Sequence, residues 1–124
     1  MQGAGIMKSY KELTVYQKAY ELSLRVYKIT EKFPAEEKFG LISQMRRAAV
    51  SIPCNIAEGY RRRSRKEYIQ FLHIALGSCS ELETLISLSK DLKIIADRNY
   101  YDLQLLQEEV SKMLYRLINS LAKD

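Results

Sequence analysis

Arg46, Arg47, Arg61, Arg62, Arg63, Arg65 and Lys66 are the side chains of this 124-residue sequence best suited to a chemical task, and that task is holding phosphate. Between Arg46 and Lys66 seven basic residues face a single acid, Glu58, whereas the whole chain carries only +5, so the remainder is slightly acidic. A concentrated positive field concerns partners rather than fold: it attracts polyanions, with nucleic acid and anionic membrane as the candidates. Five of the seven fall in the run RRRSRK, in a loop and the first turn of the helix that follows. Positive charge at a helix start opposes the helix dipole, and a cost accepted there points to function. The alternative is a solvated loop that aids solubility.

Other chemistries find little support. A di-metal bundle needs several inward carboxylates with Glu-x-x-His pairs. Here His73 is the only histidine, and Glu67 lies six residues before it. A haem could take His73 with a methionine, but a lone helical histidine is better read as a surface or hydrogen-bonded residue. Cys54 and Cys79 lack CxxC spacing and read as small apolar residues in a reducing compartment. There is no Gly-rich phosphate loop and no Ser-His-Asp set. The expectation is a protein with no catalytic residue, no metal and no cofactor. Tyr16, Tyr20 and Tyr27 share a helical stripe that could stack bases of single-stranded RNA; packing at a bundle edge or subunit contact competes with that reading.

The elements that carry these residues follow from periodicity. Two prolines and five glycines favour long helices over many short strands. From Thr14, taken as an N-cap, Val15, Ala19, Leu22, Val26, Ile29 and Phe33 recur at steps of four and three, and Phe33-Pro34 stops the helix. A second helix runs to about Gly59, placed as its left-handed C-terminal residue. Pro53 removes the N–H that the Ala49 carbonyl would accept, so this helix should bend there, with Ser51 and Asn55 offering replacement bonds. Ser64 then opens the capping box SRKE. The third helix carries Tyr68, Leu72, Ala75, Cys79, Leu82 and Ile86 on its core stripe, with Phe71, Leu76, Leu85, Leu88 and Leu92 widening it. Its small residues Gly77, Ser78 and Ser80 read as a close helix approach, either inside the bundle or between subunits. Asp97 or Asn99 caps the fourth, which carries Leu103, Leu106, Val110, Met113, Leu117 and Leu121. The expected architecture is all-α: a flexible segment 1–12, then one antiparallel up-down-up-down four-helix bundle over 13–122, with helices near 14–33, 38–59, 64–93 and 97–122. No stretch approaches a membrane span or a signal peptide, so a cytoplasmic protein without membrane partners is expected.

The segments VYQKAYELSLRVYKIT, FPAEEKFGLISQMRRAAVSIPCNIAEGYRRRS and EYIQFLHIALGSCSELET resemble the proteins encoded by intervening sequences within bacterial 23S rRNA genes. SIPxNIAEG is the most specific part. Tyr16 stands where that family often has tryptophan, and Cys54 replaces a usual small polar residue. The resemblance implies a homo-oligomeric ring, usually a homopentamer, of antiparallel four-helix bundles. It also links the chain to the accessory variability proteins of diversity-generating retroelements, whose basic pentamers bind nucleic acid and a reverse transcriptase. By that analogy Arg46, Arg47 and Arg61 to Arg63 look like family basic positions.

Two readings of the sequence lead, with a cofactor-binding bundle as a weaker third. One is a non-enzymatic oligomer that contacts structured RNA, such as rRNA, through the basic helix-2 and loop surface. The other is a scaffold or accessory subunit whose basic loop grips an acidic protein.

Overall fold

The computed structural model describes residues 9–123. Four helices account for most of them, α1 (Thr14–Thr30), α2 (Ser43–Tyr60), α3 (Arg65–Asp91) and α4 (Asp97–Ala122), and no strand is present among the described residues. Cross-helix bonds give the directions. Ser23 meets Ala49 and Thr30 meets Arg46; Ser51 meets Ser78 and Met45 meets Ser89. Numbers rise on one helix as they fall on the other, so these neighbours are antiparallel. Gln104 reaches Glu83 and Ser87, while the ion pairs Arg25–Asp102 and Lys18–Glu109 tie α4 back to α1. The bundle is therefore closed, all-α and antiparallel.

Apolar spacing explains the packing. Val15, Ala19, Leu22, Val26, Ile29 and Phe33 are all buried, as are Leu72, Ala75, Cys79, Leu82 and Ile86. In α4 the buried line starts at Leu103, Leu106 and Val110 but continues through Leu114 and Ile118, with Met113, Leu117 and Leu121 only partly covered. A straight helix of 3.6 residues per turn drifts against a four-three repeat, so the stripe slips by one residue over the last turns. Leu88 and Leu92 are exposed, so α3 is not covered on two sides at its C-terminal end.

The helix ends differ from expectation at several points. Thr14 is the first residue of α1 rather than its cap; Leu13 holds the cap position without a side-chain bond. Ala96 likewise precedes α4, with Asp97 inside the first turn, where its charge favours the dipole. α2 begins at Ser43, after a π turn over Lys38–Ile42 in which the Glu37 carboxylate accepts from the Leu41 N–H. Ser64 caps α3 as its sequence foretold, its Oγ accepting from the Glu67 N–H at 3.1 Å. α3 ends with Lys93 at φ 60, and the N–H groups of Lys93 and Ile94 return to the carbonyls of Lys90 and Ser89. The flexible segment expected over 1–12 falls largely outside the described residues; of its end, Tyr10–Glu12 form a short 3-10 turn with Ser9 accepting from the Lys11 N–H.

Pro53 leaves α2 unbroken. The Ala49 carbonyl it frees accepts from Ser23 Oγ of α1 at 2.9 Å. Asn55 instead bonds Ser51, at 2.8 Å to its carbonyl and 3.0 Å to its hydroxyl, and Ser78 of α3 donates to that same hydroxyl at 2.8 Å. The replacement partner thus comes from a neighbouring helix.

Candidate nucleic-acid interface

The basic run sits where α2 turns into α3, and the turn is tightly made. Gly59 is a buried residue of α2, not its left-handed terminus; a Cβ there would lie 2.8 Å from Phe71 Cβ and 3.2 Å from the Tyr68 carbonyl. Lacking one, it lets α3 pack directly on the end of α2. Tyr60 and Tyr68 then meet edge to face at 6.0 Å, and burial, followed by the nearby Tyr60, raises the Tyr68 phenol pKa. Gly77, the glycine expected to mediate close approach, is exposed with open space around it; of the small set in α3 it is Ser78 that bonds across to α2.

Within this frame the seven basic residues fall into two groups. Arg61, Arg62, Arg63, Arg65 and Lys66 are all exposed at the α2–α3 end. Arg62 pairs with Glu58 at 2.6 Å and lies 4.8 Å over the Phe71 ring, while Arg61 lies 5.0 Å over Tyr10. Arg61 caps α2 and Arg63 follows it, at the negative end of that helix dipole, so only Arg65 and Lys66 oppose a dipole, that of α3. The electrostatic cost read from the sequence is therefore confined to two residues.

Arg46 and Arg47 lie near the other end of α2, roughly 20 Å away at 1.5 Å per residue. Arg46 is committed to the fold: its Nε donates to Thr30 Oγ1 at 2.9 Å, a terminal nitrogen donates to the Tyr27 carbonyl at 3.2 Å, and the guanidinium lies 4.4 Å from the Tyr27 ring centre. It braces the last turn of α1, where positive charge is favoured by the helix dipole; the Tyr27 carbonyl it reaches also accepts from the Glu31 N–H. Arg46→Ala is expected to lower stability by ~1–2 kcal/mol, read as an earlier urea midpoint, with no change in polyanion binding. Arg47 is exposed and donates to Ser43 Oγ at 3.3 Å.

Sequence reasoning missed residues that topology brings to the loop end. The turn before α1 contributes Lys11, and the C-terminal end of α4 contributes Lys123. Their separation from the RRRSRK run in the chain concealed this; only the antiparallel order of helices could have revealed it.

Among the described residues no helix is long and apolar enough to cross a membrane, and no group of three or more His, Cys, Asp and Glu could hold a metal ion. Cys79 is buried, and burial pushes its thiol up to about 11, against the lowering effect of a hydrogen bond with Ser111.

The family model of the 23S rRNA-intervening sequence protein matches residues 11–116, from the first turn through most of α4. The chain belongs to that family. A crystal structure of a protein of unknown function from the S23 ribosomal protein family of Bacteroides thetaiotaomicron is similar at 28% identity and a TM-score of 0.77, over 85% of this chain and 98% of the other. No curated protein matches. Within the 23S rRNA-intervening sequence family, then, the fold extends through all four helices, and the α2–α3 turn with its arginines lies inside the matched region.

Proposed function

We propose that this 23S rRNA-intervening sequence protein is a non-enzymatic, cytoplasmic homo-oligomer, a pentameric ring, that binds structured RNA, with rRNA the expected class, chiefly through phosphates. The observation that carries this is the α2–α3 turn: its basic side chains are exposed on a turn held rigid by Gly59, Tyr60, Tyr68 and the Ser64 cap. Arg61, Arg63 and Lys66 have no carboxylate partner among the described residues, and only Glu58 and Glu67 flank them in sequence. Arg46 stays out of the interface as a fold residue, and Arg47 forms a separate, distal contact.

Assembly is supported by large apolar side chains left in solvent on two different faces. Leu24, Tyr27, Phe39 and Val50 lie on the α1–α2 side, and Tyr101, Leu105 and Tyr115 on α4. Two unlike patches on one protomer suit head-to-tail association, which closes into a ring when the rotation allows. A ring repeats the basic turn around its axis and multiplies the phosphates engaged.

Salt titration tests the RNA reading. With Z phosphate contacts, log K should fall against log salt with a slope of about −0.7 Z to −0.9 Z. A flat response would leave the accessory-subunit reading, which the exposed apolar faces also favour. Light scattering coupled to gel filtration reads the assembly, and a clean monomer at working concentration would count against the ring.

A further inference from the structure

We propose that the tyrosines at the start of α1 form a stacking platform for unpaired bases, so that the RNA engaged at the basic turn is single-stranded where it crosses Tyr16 and Tyr20. This rests on the RNA reading above and specifies the ligand of the same end of the bundle.

The geometry has four parts. Tyr16 and Tyr20 lie one turn apart with ring centres at 6.0 Å and planes inclined by only 38°. Tyr10 meets Tyr16 edge-on at 4.9 Å, and Arg61 covers Tyr10 at 5.0 Å, so the aromatic row runs directly into the basic run. A cleft of ≈ 560 Å³ is lined by Tyr10, Lys11, Tyr16, Gln17 and Tyr20. Gln17 braces its rim by donating to the Lys11 carbonyl at 3.0 Å, and the exposed Lys11 lines the same cleft as the rings.

Tyr16 is half-buried against the core and explains itself by packing. Tyr20 does not: 52% of its surface is in solvent. Rings interleaved with cations are what single strands require, because every base has a π-face and every nucleotide a phosphate. A double helix hides its bases within the stack and gains nothing from such a row.

A reporter is built in. The exposed Cys54 thiol is close enough to Tyr16 to contribute to the raised pKa of its phenol, after burial, Tyr10 and Tyr20. Alkylation of the full chain with iodoacetamide at mildly alkaline pH should modify Cys54 and spare the buried Cys79, whose thiol lies at about 11. A short single-stranded oligoribonucleotide of mixed adenine and uracil should protect Cys54, whereas the same strand paired to its complement should not. Tyr20→Ala should weaken the single strand about tenfold and leave the duplex unchanged, and Tyr20→Phe, which keeps the ring, should bind as the parent does. RNA binding that is indifferent to Tyr20→Ala and leaves Cys54 reactive overturns the platform while sparing the basic contact. Absence of salt-dependent RNA binding overturns both.

Discussion

Gly59→Ala is expected to destabilise the bundle by about 2 kcal/mol, read as a lower urea midpoint with an unchanged slope. Helix propensity alone predicts the opposite sign, because alanine is favoured over glycine inside a helix by ~1 kcal/mol. Packing decides the outcome. The added Cβ would lie 2.8 Å from Phe71 Cβ, 3.1 Å from Tyr68 Cδ1 and 3.2 Å from the Tyr68 carbonyl. Two of those atoms are attached to the α3 backbone or part of it, and they cannot swing aside as a flexible side-chain tip would. α3 must shift instead, loosening the edge contact between Tyr60 and Tyr68. Gly77→Ala is the matched control, since nothing lies within 4 Å of its would-be Cβ. It should gain up to ~1 kcal/mol by propensity. Equal effects at the two positions would show that the α2–α3 approach does not depend on Gly59.

Replacing Arg61, Arg62 and Arg63 together by alanine is expected to reduce RNA affinity on the order of a hundredfold at low salt. The slope of log K against log salt should become shallower by about 2. The change falls short of three full contacts because Arg62 is already neutralised by Glu58 and laid on Phe71. All RNA sequences should be affected alike, since phosphate contacts position a ligand without reading bases. Folding should survive: the three side chains are exposed, and the one ion pair lost is worth at most ~1 kcal/mol. An unfolded triple variant would mean that these arginines serve the bundle rather than a ligand.

Much of this molecule was legible from residue spacing, for physical reasons that can be named. Val15 to Phe33 obey the helical period because one face of α1 must be buried, and burial is what that period encodes. The fold class and the family follow from the same segments, and the match over residues 11–116 agrees with them. What periodicity could not convey is which polar group answers which. Nothing in the sequence pairs Ser23 with Ala49, or Arg46 with Thr30 and Tyr27, because those partners meet only once the helices are assembled. The two glycines show the same limit. Gly59 reads as a terminus and Gly77 as a packing point, yet within the bundle only the first touches another helix. The candidate site was legible in its RRRSRK core and not in its extent, since Arg46 turned inward to α1 while Lys11 came alongside from the far end of the chain order.

Pro53 carries a consequence for alignment. In a regular helix the carbonyls are mostly occupied by the helix's own amides, so two such rods have few backbone acceptors with which to fix their relative position. By withholding one amide, Pro53 opens a single socket at the Ala49 carbonyl, and the Ser23 hydroxyl is the peg that fits it. Displacing α1 by one turn would carry that peg about 5.4 Å away and leave the socket empty. The imino acid thus adds a second index mark to a helix pair that Arg46 and Thr30 already hold at the end of α1.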